Sequence, residues 1–317
     1  MGRMKLLSEQ QGGQVEGFCL VKSVAVRQNI KGVDYLDLTL ADIGGDCVAK
    51  LWDYNAGSHG VFAAEDLVKI RASINVYKDA EQLKIERIRH ALSDEVDISE
   101  ILPGAPIDAV EVFDELSELA EGFKTKGLRD ITLTLLRENR EKLLRFPAAV
   151  KLHHATIGGL LQHTLAVTRL GVKFAELYPR LDRDLLLAGC MLHDIGKLTE
   201  MDVGGLGLAG GYTAQGLLIG HIQIGANLVL TTAEKVGASK EAAMLLAHLI
   251  LSHHGTAEFG SPKLPMIPEA EVLSLCDLAD ARLFEFFSAL DGVSRGGFSE
   301  KQWALENRQL YQARSLN

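Results

Sequence analysis

Leu185-Leu186-Leu187-Ala188-Gly189-Cys190-Met191-Leu192-His193-Asp194-Ile195-Gly196-Lys197 runs an apolar helix straight into an imidazole and a carboxylate. A helix apolar on most sides is a buried one. Setting His193 and Asp194 side by side at its end costs free energy unless something compensates both groups. A divalent metal does so, because one imidazole binds one ion while an aspartate can bridge two. Gly196 is expected to let the backbone turn, and Lys197, beyond it, to reach a phosphate oxygen.

The surrounding sequence keeps the helical period. From about Asp108, apolar residues recur at three- and four-residue spacing over 108–122, 127–145, 157–178, 182–195, 217–236, 239–254, 268–289 and 299–313. Pro147, Pro179, the glycine-rich Gly204–Gly211, Gly237 and the stretch Gly255–Pro268 separate them. No strand series is expected after residue 95, so 108–317 reads as an all-α domain. Eight of the ten histidines lie between His153 and His254. Any one of them could be an ordinary helix residue. Several at helix ends, with an adjacent aspartate, point to a metal site.

Residues 1–92 have a different period. Gln14–Arg27 is extended and valine-rich, and Val33–Ala41 puts Leu36, Leu38 and Leu40 on one face. Ile43-Gly44-Gly45-Asp46 turns into Cys47–Trp52, which makes a hairpin. After the connection Asn55–Asp66, Val68, Ile70, Ala72, Ile74 and Val76 alternate, and Gln82–Arg89 follows a turn at Asp79-Ala80. Five strands with the longer connection between the third and fourth predict an OB-fold, although another small β-barrel has a similar pattern. Residues 93–107, acidic and holding two prolines and a glycine, read as a linker. The chain is thus expected to be multidomain: a small all-β OB-fold barrel followed by an all-α domain.

Composition bounds the rest. The chain has 317 residues, 47% of them hydrophobic and 24% charged, enough for two packed cores. The net charge of -9 falls unevenly: residues 1–95 carry 12 basic and 14 acidic groups, the remainder 21 and 28. A nearly neutral barrel beside a carboxylate-rich domain fits these totals. The four cysteines are far apart with no CxxC pair, which predicts reduced thiols and speaks against a structural zinc site. The N-terminus has no apolar signal core and no run reaches membrane-spanning length, so a cytoplasmic protein without membrane partners is expected.

His193-Asp194-Ile195-Gly196-Lys197 is similar to the signature of the HD-domain phosphohydrolases, and the other members of that constellation follow in order. They are His163 in Gly158–Thr164, His221 in Gly220–Gly225, the pair His253-His254 before Gly255, and Asp277 in Cys276–Ala281. The segments Val15–Ser23, Ala49–Asp53 and Gln82–Ile85, with Phe146–Ala149 and His153-His154-Ala155, resemble the YhaM-type 3′→5′ exoribonucleases over nearly the whole chain. Only the Asn55–Asp66 connection, with His59, has no clear counterpart.

The resemblance implies a dinuclear site. His163, His193, Asp194 and Asp277 would hold one metal; Asp194, His221 and the His253/His254 pair, either member of which could ligate, would hold another. Two divalent ions about 3.5–4 Å apart activate a bridging water and clamp the attacking and leaving oxygens of a phosphodiester. Asp194 and Lys197 are the expected catalytic residues, with Lys197 neutralising phosphoryl charge. Nitrogen and oxygen donors without sulfur favour manganese, with Fe²⁺ or another transition metal as the alternative.

For substrate, Phe18, Tyr35, Trp52 and Tyr77 are candidate stacking platforms, with Lys50, Lys69, Arg71 and Lys84 along the phosphates. Each of these aromatics could equally pack in the barrel. His153 and His154 either order a phosphate or cap a helix. Asp280 is a candidate to support a ligand, His248 is expected in the core or beside the ligands, and His59 and His90 at the surface.

The implied activity is 3′-5′ exonuclease action on single-stranded RNA, with DNA as a further substrate. Apolar helix faces would serve either a homo-oligomer or the domain contact. Two other functions compete: a phosphodiesterase for cyclic dinucleotides or nucleotides, and a non-catalytic nucleotide or nucleic-acid sensor. Gly255–Gly260 lacks the GYP element of one cyclic-dinucleotide group, and the complete ligand set speaks against a sensor.

Overall fold

A computed structural model of the protein describes residues 4–8, 13–77, 80–92, 95–96, 100–102, 104–149, 156–204 and 206–315, the side chains of Tyr77 and Phe259 excepted. The chain divides into two compact units, Met1–Gly104 and Ala105–Asn317.

In the first unit a short helix α1 (Lys5–Ser8) precedes strands β1 (Gln14–Gln28), β2 (Asp34–Asp42) and β3 (Gly45–Leu51). A single turn α2 (Ala56–His59) lies in the longer connection to β4 (Leu67–Tyr77), and β5 (Ala80–His90) completes the set. These strands close in the order β1-β2-β3-β5-β4, with β3 and β5 parallel and the other pairs antiparallel. That is the OB-fold order, reached because β1 is long enough to pair with both β2 and β4. Its register shifts between Val21 and Ser23, where such a strand must bend. Alternation decides the inside: Leu36, Leu38, Leu40, Ala49, Leu51, Val68, Ile70, Ala72, Leu83 and Ile85 fill the barrel. At one end the Asp42 carboxylate accepts from the backbone N–H groups of Lys5, Leu6 and Gly44, each at 2.8 Å, and so holds α1 against the hairpin turn.

The second unit contains α3 (Ala109–Glu121), α4 (Lys126–Glu138), α5 (Arg140–Leu143), α6 (Gly159–Leu177), α7 (Arg183–Leu192) and the single turn α8 (Lys197–Glu200). The ribbon β6 (Met201–Val203) and β7 (Ala209–Tyr212) comes next. Then follow α9 (Ala214–Ile219), α10 (His221–Val236), α11 (Lys240–Ser252) and α12 (Pro268–Leu290). Side-chain caps start several of them: Asp108, Asp182, Thr213 and Ser239 each accept from a backbone N–H of the first turn. Every residue of α7 after Arg183 is buried, as its all-round apolarity demands. It packs against α4, α6, α11 and α12.

Four expectations from the sequence need correction. Segment 127–145 is two helices, α4 and α5, parted at Asn139. Segment 217–236 is not one helix: Gly220, at φ 78°, breaks it into α9 and α10 and makes His221 the first residue of α10. The glycine-rich stretch after 200 is a two-stranded ribbon rather than a plain breaker. Segment 299–313 is not an α-helix and holds only the short 3-10 turn Trp303–Leu305. Glu306 and Asn307 sit at φ 52° and 57°, which turns the chain back on itself through the bridges Phe298↔Tyr311 and Gln302↔Arg308. Among the described residues no helix is long and apolar enough to cross a membrane.

Candidate metal centre

Four helices and one turn bring the histidines together. The turn 193–196 follows α7, so His193 caps that helix and Asp194 projects beyond it; His253 caps α11 in the same way. His163 comes from α6, His221 from the start of α10, and Asp277 and Asp280 from α12. Two clusters result: His163, His193 and Asp277 in one, and His221, His253 and His254 in the other, each with donor atoms all within 4.8 Å of one another.

Asp194 lies between them. Its Oδ2 is 3.7 Å from His163 Nε2 and 3.4 Å from His193 Nε2. Its Oδ1 faces the other cluster, 3.5 Å from His221 Nε2 and 3.8 Å from His253 Nε2. Within the first cluster, His163 Nε2 is 3.1 Å from His193 Nε2 and 3.2 Å from Asp277 Oδ1.

Four of the five imidazoles, those of His163, His193, His221 and His253, are held from behind through Nδ1. His193 Nδ1 is 2.9 Å from the Cys190 carbonyl, and His253 Nδ1 2.7 Å from the Ile250 carbonyl. His163 Nδ1 is 2.6 Å from Asp280 Oδ2, and His221 Nδ1 3.0 Å from Glu200 Oε1. Such contacts fix the rings with Nε2 turned toward the clusters.

Electrostatics fit the same purpose. Burial alone would raise the Asp194 carboxyl, but Lys197 and His193 beside it pull it well below its ordinary value. Lys197, itself opposed by burial, is kept charged by Asp194, with Nζ 2.8 Å from Oδ2. Burial, with His254 and His193 adjoining, holds His253 well below the usual imidazole value and hence neutral, as a ligand must be. For His163 burial works downward, yet hydrogen bonds with Asp277 and Asp280 win and hold it up at about 9.

The decisive mark of a cation site is what lacks a partner. Asp194 Oδ1, His221 Nε2 and His253 Nε2 are buried and make no hydrogen bond to any described residue. Buried polar atoms are ordinarily paired. Three unpaired in one place, each a good ligand and none of them sulfur, fit a divalent ion.

Gly196 requires a different explanation from the one its sequence suggests. Its backbone is ordinary right-handed helix, φ -65° and ψ -21°, so no special turn is needed. A Cβ here would sit 2.1 Å from the carbonyl oxygen of His221. Glycine is required because α10 passes directly over the His-Asp turn, and that approach brings the two clusters together.

Other candidate residues fall as follows. Tyr35, Lys50, Trp52 and Lys84 meet on the barrel exterior: the Tyr35 and Trp52 rings are 4.7 Å apart, and Lys50 Nζ lies 5.4 and 5.5 Å from their centroids. Lys84 is the register partner of Lys50. Phe18 and Lys69 form a separate pair, 5.2 Å from ring centroid to Nζ, and Arg71 sits next to Glu86. The Tyr77 side chain and both His153 and His154 lie outside the described residues. His248 Nε2 accepts from the Met266 N–H, tying down the loop after α11; His90 is exposed, while His59 is half-buried. Glu200 was not foreseen. Its signal in the sequence was a carboxylate one helical turn after Lys197.

Comparison with known proteins agrees with this geometry. A family model described as HD domain matches residues 160–282. The 3′-5′ exoribonuclease YhaM of Geobacillus sp. strain WCH70 is 39% identical over 301 residues, covering 95% of this chain and 92% of that protein. The chain belongs to the YhaM family. The YhaM of Bacillus subtilis strain 168 is 37% identical over 96% of this chain and 97% of its own length. Among solved structures, the HD domain of the Listeria monocytogenes phosphodiesterase PgpH matches at 17% identity and TM-score 0.27, over 49% of this chain and 74% of that one. That likeness is too slight to add to the YhaM assignment.

Proposed function

We propose that the protein is a cytoplasmic, metal-dependent 3′-5′ exoribonuclease that removes nucleotides from single-stranded RNA at a dinuclear His/Asp site. The observation that carries the reading is Asp194, with one oxygen toward each cluster and no hydrogen bond at Oδ1. His163, His193, Asp277 and Asp194 would hold one ion; His221, His253, His254 and Asp194 the other. Nitrogen and oxygen donors without sulfur favour Mn²⁺, ahead of Fe²⁺. Bound ions would supply Lewis acidity and an activated water for attack on phosphorus.

The chain's own residues have separable tasks. Asp194 stays ionised and fixes the spacing of the clusters. Lys197 Nζ, with one hydrogen bond given to Asp194 Oδ2 and two donors left, meets the charge that grows on a non-bridging phosphoryl oxygen. On the barrel, the paired rings of Tyr35 and Trp52 would stack bases while Lys50 and Lys84 follow phosphates. The near-neutral charge of that unit makes this binding weak and salt-sensitive.

The test sets 5′-labelled single-stranded RNA beside cyclic dinucleotides, both with Mn²⁺. A ladder shortening from the 3′ end, with the cyclic substrates untouched, is the expected result. Hydrolysis of the cyclic dinucleotides with the RNA intact would replace this reading by the small-molecule one.

A further inference from the structure

His221 differs from the other histidines in where its helix puts it. His193 and His253 stand at the C-terminal ends of α7 and α11, so each Nδ1 reaches back to the carbonyl three residues earlier. His221 opens α10, immediately after the break at Gly220, and has no turn of its own helix behind it. Its Nδ1 therefore needs an acceptor from elsewhere. So does its backbone N–H, one of the donors that a helix start leaves without an intrahelical partner.

Glu200 answers both needs with one atom. Its Oε1 accepts from the His221 N–H at 2.9 Å and lies 3.0 Å from His221 Nδ1, in a place where both side chains are 13% exposed. The backbone beneath it is fixed independently of the carboxylate. Glu200 N donates to the Gly196 carbonyl and Thr213 N to the Glu200 carbonyl. Gly216 packs so tightly that a Cβ there would meet the Glu200 oxygen at 2.1 Å. The side chain is thus rigidly based and free to be specific. Burial would raise its pKa, but the contact with His221 lowers it, so it remains an anion.

Seen from the clusters, the contact is selective. The ring it holds is 5.2 Å from that of His254 and 5.7 Å from that of His253, and its Nε2 faces Asp194 Oδ1. The other cluster has its own buttress in Asp280 behind His163. We propose that Glu200 is the positioning residue for the His221/His253/His254 cluster alone, and that its side chain decides whether the protein binds one divalent ion or two. The inference rests on the dinuclear reading above and assigns to one side chain control of one of its two ions.

The experiment counts Mn²⁺ bound to the full chain, by calorimetry with elemental analysis, in the native protein, Glu200→Ala and Glu200→Gln. Native protein should bind two ions. Glu200→Ala should bind one at native affinity and the other on the order of 10- to 100-fold more weakly, the usual effect of losing a carboxylate behind a ligand. Glu200→Gln, whose Oε1 can accept the same two donors, should recover most of that loss.

A second readout needs neither metal nor variant. Long-range ¹H–¹⁵N spectra of the metal-free native protein should show His221 protonated on Nδ1. Glu200→Ala binding two ions at native affinity overturns the inference and leaves the dinuclear reading standing, as does a native His221 protonated on Nε2. Glu200→Gln behaving like Glu200→Ala also overturns it, since charge rather than orientation would then govern. Fewer than two ions on native protein overturns the dinuclear reading and this inference together.

Discussion

Replacing Gly196 by alanine should separate the two halves of the metal centre with no ligand changed. The new Cβ would lie 2.1 Å from the His221 carbonyl oxygen, 2.8 Å from Gly225 N and 2.9 Å from the His221 carbonyl carbon, all of them backbone atoms. Ordinary contact begins near 3.4 Å, so the turn and α10 must part by about 1.3 Å. Dihedral strain contributes nothing, because alanine is at ease at φ -65°. Forcing one methyl into a packed interior costs roughly 1–3 kcal/mol. A shift of about 1 Å in the reacting geometry costs roughly 10²-fold in rate. Gly196→Ala should therefore fold, with a lowered denaturation midpoint, and degrade labelled RNA about a hundredfold more slowly than native protein at saturating Mn²⁺. Native rate and native stability in this variant would refute the claim that glycine is needed for the close approach of α10.

Other consequences are independent of that one. Asp184 Oδ2 accepts from Lys124 N at 2.7 Å and Thr125 N at 2.8 Å, so Asp184→Ala, which strands these donors, should lower stability by about 1–3 kcal/mol in urea titration. Its activity per folded molecule should be native. In chelated protein His163 is held up at about 9 against an ordinary 6.5, and a raised pKa gives stability that is complete below the lower value. Metal-free stability should therefore fall as pH rises from about 6.5 through 9, and His163→Ala should flatten that slope; a rise across the window would contradict the assignment. Trp52→Ala should weaken binding of single-stranded RNA, read by fluorescence anisotropy, by about 1–3 kcal/mol, and leave the turnover rate at saturating RNA unchanged.

Most of the fold was legible in the sequence because it depends on local periodicity. Leu36, Leu38 and Leu40 alternate into the barrel, and the apolar run 185–192 reads as a buried helix. The candidate ligands were legible for another reason: their order along the chain resembles a known constellation. What escaped is tertiary. No pattern tells that Gly196 is overlain by the His221 carbonyl, nor that Gly220 ends one helix so that His221 can open the next. Glu200 looks like any helix carboxylate until α10 is laid across it. The apolar spacing in 299–313 suggested a helix, but the left-handed residues Glu306 and Asn307 turn it into a bridged return. Periodicity reports which face is buried, and says little about where the backbone reverses.

The most direct test of the central claim is a time course on 5′-labelled single-stranded RNA, with bound Mn²⁺ counted in the same preparations, for native protein and Asp194→Ala. Native protein should carry two ions and give a ladder that shortens from the 3′ end; Asp194→Ala, folded, should bind fewer ions and leave the RNA whole. Intact RNA with fully loaded native protein, or a ladder from Asp194→Ala equal to the native one, would contradict the account.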